Sequence, residues 1–282
     1  MRRLSAAVHR KNLQRQLVNV LNERDPDEFH AALLIAKMDN HEVDVDAYRA
    51  ELQRMVDEVA NRLPAPCDDH ARVATLNAYL FDENGFHGSR TDYYNRSNSY
   101  MNEVLDDREG LPITLSVLYM TMGRRIGLDL VGAGLPGHFM VRDLPRDAAH
   151  DAPVTLIDVF DGGKKMTRQE ADRMVMGHTG RKLTDADLAP ASPKSIIVRM
   201  LRNLMRAAQG VDREDGLHYL DAILAIDPDS AVDRGLRAVM RARAGWRRAA
   251  FVDIDWLLER RPPGVDLDRV REMREALDRA GD

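Results

Sequence analysis

The segment EGLPITLSVLYMTMGRRIG, residues 109–127, constrains the fold more than any other stretch of this chain. The run after Pro112 is almost wholly apolar, and a helix that is hydrophobic on all sides has to be buried. Pro112 suits the first helical position, because the N–H that proline lacks would have no partner there. Gly127 suits the end of the helix, and the arginines before it complement the negative end of the helix dipole. We therefore predict a buried helix from Pro112 to Ile126.

Shorter patterns on both sides of this helix predict further elements. The segment 27–63 has apolar residues at three- and four-residue steps and is divided by the turn DNHEVDVD, so it predicts two helices. Another helix is expected over 71–80. Beyond the buried helix, LDLVGAGLPGHFMVRDL and PVTLIDVFDGG predict three short strands joined by tight turns. Helices followed by strands favour an α+β domain over a βαβ sheet.

The C-terminal part of the chain carries a repeat. It follows a proline-containing linker, LAPASPKS, and is helical in pattern. The pairs of residues that lie 34 positions apart are Pro228 and Pro262, Leu220 and Ile254, and Leu224 and Leu258. This period is typical of tetratricopeptide repeats, which are stacked helix–turn–helix units. The sequence therefore predicts two domains: 1–188, with helices before an α+β core, and 194–282, an all-α tetratricopeptide-like segment.

The composition argues against several classes of function. The net charge of −5 comes from 41 basic and 46 acidic residues spread along the chain, unlike the one-sided basic surface of a nucleic-acid-binding protein. The longest aliphatic run, 31–36, is too short to cross a bilayer. The single cysteine, Cys67, forms a C-x-x-H pair with His70, but zinc needs about four ligands and no second pair follows. We expect a cytoplasmic protein that binds no metal, cofactor, nucleic acid or membrane.

Two polar residues in apolar surroundings are candidate catalytic residues. His138 follows a Pro-Gly turn in PGHFMVR, and Asp158 lies inside the apolar strand TLIDVF, where a carboxylate needs a partner. If the two strands are antiparallel, Asp158 can orient the imidazole of His138, as the carboxylate of a catalytic triad does. The alternative interpretation is a structural hydrogen bond retained in the core.

The polar loop 82–99 and the residues after it form a second candidate region. Its tyrosines and asparagines either pin the loop to the core or line the rim of a pocket, and the sequence leaves both interpretations open. The candidate pocket-lining residues are Asn98, Tyr100, Asn102 and Glu103. For the last two, a role in a cap or turn is the alternative. The charged run 107–109 is interpreted as solvated surface.

The run RSNSYMNEVLDDREGLPITLSVLYMTMGRRIGLDLVGAGLPGHFMVR, followed by LIDVFDGG, resembles the bacterial SirB-type branch of the transglutaminase-like superfamily. The resemblance implies a papain- or transglutaminase-like α+β core, with helical flanks and a tetratricopeptide segment after it. In active members a Gly-x-Cys motif opens the central helix, and a histidine and an aspartate come from the next strands. Here GLP stands in that place, so the resemblance puts Pro112 at the nucleophile position beside His138 and Asp158.

These observations lead to hypotheses from different classes of function. The first is a non-catalytic transglutaminase-like protein that binds or regulates a protein partner through the former active-site cleft and the tetratricopeptide-like segment. The second is a hydrolase or peptidase in which His138 and Asp158 act with water or with the hydroxyl of Thr114. Thr114 and Ser116 also have a structural interpretation, since hydroxyls in a helix bond to preceding carbonyls. A purely architectural role of the C-terminal helices is the third.

Overall fold

The structure is a computed structural model that describes residues 2–144, 154–208 and 216–279. The chain divides into two compact units, Met1–Met200 and Leu201–Asp282. In its described residues, the first unit combines helices with a two-stranded and a four-stranded sheet, which confirms the α+β class. The domain bounds 1–188 and 194–282 stay a prediction.

The first unit opens with helices. They are α1 (Arg2–Leu21), α2 (Glu28–Asp39), α3 (Val45–Ala60) and α4 (Asp69–Asn77). The two helices predicted within 27–63 are confirmed as α2 and α3, and each begins after an aspartate whose side chain accepts backbone N–H groups. The helix predicted over 71–80 begins two residues earlier as α4, and its last part is a π-helical turn, Ala78–Glu83.

The predicted buried helix is α6 (Pro112–Arg125), and nearly all of its residues are buried. The short strand β1 (His87–Gly88) pairs in parallel with β2 (Glu109–Gly110), and α5 (Met101–Asp107) lies between them in sequence. Because β2 is followed almost directly by α6, the β1–β2 pair fixes where the buried helix begins. α6 packs against α2, α3 and α4, and also against the larger sheet.

The larger sheet has the strand order β3–β4–β5–β6, and every neighbouring pair is antiparallel. Its strands are β3 (Leu130–Ala133), β4 (Met140–Asp143), β5 (Thr155–Asp158) and β6 (Lys164–Thr167). The first three correspond to the predicted strands. The sequence does not predict β6, because this edge strand is mostly exposed and lacks apolar alternation. It also does not predict α7 (Arg168–Thr179), which buries only two residues.

Helix α8 (Pro193–Ala208) runs across the division between the two units. The described residues 216–279 of the second unit form α9 (Leu217–Ile226), α10 (Ala231–Arg243), α11 (Arg247–Arg260) and α12 (Leu267–Arg279). Pro228 and Pro262 follow α9 and α11, respectively, at the same distance, so the sequence repeat relates these two helices. Leu220 and Ile254, which are also one period apart, are both fully buried.

Candidate functional site

His138 lies at the end of the tight turn between β3 and β4, two residues before β4 begins. Gly137 has a φ of +77°, a conformation that glycine adopts without strain, and the His138 N–H donates to the Leu135 carbonyl at 3.1 Å. The guanidinium of Arg199, on α8, donates to the carbonyl oxygens of Leu135 at 3.1 Å and His138 at 2.7 Å. These bonds fix the backbone that carries the imidazole.

Asp158 is the last residue of β5, the strand next to β4 in the sheet. Its Oδ1 lies 3.0 Å from Nε2 of His138, so the structure brings the two candidate residues together. The same oxygen accepts the backbone N–H groups of Phe160 at 3.1 Å and Asp161 at 3.3 Å. With Nε2 directed at Asp158, the atom of His138 at which a proton can be exchanged is Nδ1. The His138 side chain is 12% exposed, which leaves only a small opening to solvent.

The ring of Phe160 lies against both His138 and β1. Its centroid is 6.0 Å from that of the imidazole, with the two rings perpendicular. On the other side, the ring approaches Gly88 so closely that a Cβ at this position would lie 2.4 Å from a ring carbon. A side chain larger than hydrogen at position 88 would therefore displace Phe160 from His138.

The first turn of α6 holds the other candidates. Pro112 is its first residue, and it is buried. The hydroxyl oxygen of Thr114 accepts the Leu111 N–H at 2.9 Å and lies 2.9 Å from the Asn98 carbonyl, to which it donates. The Ser116 hydroxyl donates to the Pro112 carbonyl at 2.6 Å. Both hydroxyls are completely buried.

The four predicted pocket-lining residues make contacts within the protein. The Asn98 amide donates to the Asp92 carbonyl at 2.8 Å, and the Tyr100 hydroxyl donates to Asp39 at the end of α2 at 2.7 Å. The amide of Asn102 donates to the Glu103 carboxylate at 2.9 Å. These bonds tie the loop and α5 to their surroundings.

A cleft of about 470 Å³ lies beside Phe160 instead. Its lining residues are Phe81, Phe86, His87, Gly88, Arg90, Thr91, Glu109, Phe160, Asp161 and Gly162. None of Asn98, Tyr100, Asn102 and Glu103 is among them, and their role in lining a pocket stays a prediction. Glu109 is also half-buried rather than part of a solvated surface. The one sequence feature that could have indicated this cleft is the position of Phe160, two residues after Asp158.

The described residues contain no group of three or more His, Cys, Asp or Glu side chains arranged to hold a metal ion. Cys67 is a free thiol near the start of α4, and its Sγ donates to the Asp68 carbonyl at 3.6 Å. Among the helices that the structure describes, none combines the length and the apolar character needed to cross a bilayer.

The site thus combines a buried helix opened by a Gly-x-Pro segment with a histidine–aspartate pair carried by the sheet on which that helix packs. The family model of the transglutaminase-like superfamily matches residues 46–202, which include α6, His138, Asp158 and the cleft. The chain therefore belongs to the transglutaminase-like superfamily.

Relatives extend over most of the chain. A UPF0162 protein of Xylella fastidiosa is 32% identical over 249 residues, covering 85% of this chain and 86% of its own length. A UPF0162 protein of Vibrio cholerae is 26% identical and covers 84% of this chain and 87% of its own. Human F-box only protein 21 is 34% identical over 186 residues, which are 62% of this chain but only 29% of that protein.

Proposed function

We propose that this chain is a non-catalytic, transglutaminase-like protein that binds a protein partner in the cytoplasm. In this proposal the cleft beside Phe160 and the C-terminal helices, interpreted as a short tetratricopeptide-like array of the SirB type, are the binding surfaces. The protein then acts as a partner-binding or regulatory module. Its histidine–aspartate pair is a hydrogen bond that stabilises the core.

The observation that carries this proposal is the chemistry at the start of α6. Pro112 has neither a nucleophilic side chain nor an N–H group, so the helix start offers no thiol to form an acyl intermediate. The neighbouring hydroxyls of Thr114 and Ser116 are buried and hydrogen-bonded to backbone groups. An attack by either hydroxyl would require these bonds to break and the helix start to open.

The second unit supports a binding role because it exposes large apolar side chains. Val232, Trp246 and Val252 are 77%, 46% and 61% exposed. Tryptophan is enriched among the residues that dominate binding energy at protein interfaces. Exposed apolar side chains of this size are well suited to contact a partner.

One observation favours a second candidate function, a hydrolase that uses water. The Asp158 carboxylate holds Nε2 of His138, and Nδ1 remains for proton exchange. A general base of this kind can activate a water molecule without a covalent intermediate. The two candidates differ in whether turnover depends on His138.

Turnover by the full chain separates them. Ammonia release from glutamine-containing peptides and hydrolysis of p-nitrophenyl acetate are measured for the wild type, His138→Ala and the control His41→Ala, which changes an exposed loop histidine. The proposal predicts the same background rate for all three proteins. A wild-type rate that falls at least tenfold in His138→Ala alone, with an unchanged melting temperature, would establish the hydrolase.

The binding role has its own test. A partner captured by the wild type should be captured less by Trp246→Ser, while the control Val8→Ser changes an exposed apolar residue of α1 in the first unit. Equal capture by Trp246→Ser and the wild type would remove the helical segment from the proposed interface.

A further inference from the structure

The cleft beside Phe160 combines aromatic walls with charged groups. Phe81 and Phe160 are partly exposed in it, and the buried Phe86 lies behind them. The ring of Tyr93 contacts Phe160 edge-on, with a centroid distance of 6.2 Å. Such walls can pack on an apolar stem and can attract a cation through the faces of their rings.

Two phenylalanine rings of this cleft make cation–π contacts with arginine side chains of the protein itself. Arg90 lies over Phe160 at 5.5 Å from the ring centroid, and Arg108 lies over Phe86 at 4.8 Å. One face of each of these rings is therefore already in contact with a planar cation. The structure provides examples of the contact that a ligand cation would make.

The charged groups of the cleft differ in whether they have partners. Arg90 donates to the Asp161 carboxylate at 2.7 Å, and His87 Nδ1 lies 2.9 Å from the Gly85 carbonyl. Glu109 is half-buried and lines the cleft, and its backbone pairs with His87, yet its carboxylate forms no hydrogen bond or ion pair with any residue in the described part of the chain. Glu109 therefore places an unpaired negative charge at the wall of the cleft, and this charge is complementary to a cationic ligand group.

We infer that this cleft binds a lysine or arginine side chain of the partner protein, with the aliphatic stem on Phe81 and Phe160 and the cationic end at Glu109. The inference rests on the proposed function, since it specifies the chemistry of the partner that enters the cleft. It concerns binding alone, because Phe160 lies between this cleft and His138.

Small probes test this inference with the full chain. Amide chemical shifts of the ¹⁵N-labelled protein are followed during titration with Nα-acetyl-lysine methylamide and with Nα-acetyl-norleucine methylamide, which has a similar stem without the charge. The lysine probe should shift the amides of Gly88, Thr91, Asp161 and Gly162. It should bind about tenfold more tightly than the norleucine probe, and added salt should reduce this preference.

Glu109→Gln removes the charge from the cleft, and Glu42→Gln removes one charge from an exposed loop as the matched control. We expect lysine-probe binding about tenfold weaker in Glu109→Gln and unchanged in Glu42→Gln. Phe160→Leu, which keeps an apolar side chain but no ring, should weaken binding several-fold. It is a second test that does not depend on how Glu109→Gln folds.

Equal binding of the two probes would overturn the inference, as would equal affinity of the Glu109→Gln and Glu42→Gln proteins. Shifts confined to residues outside the cleft would overturn it too. These results would leave the proposed function intact if turnover still does not depend on His138. Turnover that depends on His138 would reject the proposed function whether or not the lysine probe binds.

Discussion

Two buried aspartates, one in each unit, show how the same side chain serves different purposes. Asp253, in the second unit, is completely buried and accepts hydrogen bonds from Arg234, Arg237 and Arg241 at 2.7–3.2 Å. Asp158, in the first unit, is 7% exposed and is held by His138 and by two backbone N–H groups. The partners of Asp253 are permanently charged, whereas the main partner of Asp158 can gain or lose a proton.

This difference separates a network of permanent charges from a histidine–aspartate pair. Arginine keeps its proton at any pH that the fold survives, so the Asp253 network can stabilise helices but cannot transfer protons. A histidine–aspartate pair is the arrangement that acid–base catalysis uses. In the proposed function Pro112 stands at the nucleophile position, so the first unit would have this arrangement without the group that acyl transfer needs.

The largest loss of unfolding free energy is expected for a substitution at Asp253. Asp253→Asn leaves three arginines around a neutral side chain, and breaking a buried ion pair costs about 3–5 kcal/mol. Both tryptophans, Trp246 and Trp256, lie in the second unit, so tryptophan fluorescence during urea denaturation reports on that unit alone. Asp221→Asn is the control, because Asp221 is 41% exposed and bonds two of the same arginines. A smaller loss for Asp253→Asn than for Asp221→Asn would show that the network is not structural.

A smaller effect is expected at Asp158. Asp158→Asn keeps an oxygen for the backbone N–H groups but loses the charge that holds His138. We expect a loss of about 1–3 kcal/mol, the cost of leaving a buried polar group poorly paired. The loss should appear in far-UV circular dichroism, with the tryptophan fluorescence transition unchanged. A shift of the fluorescence transition instead would contradict the assignment of the effect to the first unit.

The smallest change in the free energy of unfolding is expected at Asp143, whose carboxylate has fewer hydrogen-bond partners than those of Asp253 and Asp158. Its Oδ1 is buried without a hydrogen-bond partner among the described residues, and burial raises the pKa of this carboxyl above its usual value. A raised pKa in the folded state means that Asp143 stabilises the fold while protonated and that this contribution is lost as the pH rises through the raised value. Asp143→Asn should therefore match the wild type at pH 3 and exceed it by about 1 kcal/mol at pH 7. Urea denaturation at the two pH values checks this, and a variant that is less stable at pH 7 contradicts it.

The sequence predicted α6 and the His138–Asp158 neighbourhood because their signals are local. An apolar run between a proline and a glycine, and a carboxylate inside an apolar strand, can be recognised without knowing what lies nearby. The turn at Gly137 and the β5 pattern then place His138 just before β4 and Asp158 at the end of β5, and these two strands are antiparallel neighbours.

The cleft could not be predicted in this way. Its walls come from three separate segments, 81–91, 109 and 160–162, and each segment is ordinary when considered alone. Glu109 belongs to a charged run that looks solvated, and only the pairing of β1 with β2 places it beside Phe81 and Phe160. Asn98 and Tyr100 are polar residues in and next to a loop, which suggested a pocket, but the side chain of Asn98 bonds within the loop and that of Tyr100 bonds to α2.

The central claim is that this unit is a transglutaminase-like active site with its nucleophile replaced by proline. Restoring the thiol tests it: Pro112→Cys is made in a Cys67→Ser background, which removes the only native thiol. Rapid mixing with p-nitrophenyl acetate should release a burst of about one p-nitrophenolate per chain as the acetyl group is transferred to the introduced thiol, and His138→Ala should abolish the burst. A folded Pro112→Cys protein that shows no burst above its Cys67→Ser parent, or a burst unaffected by His138→Ala, would contradict the claim.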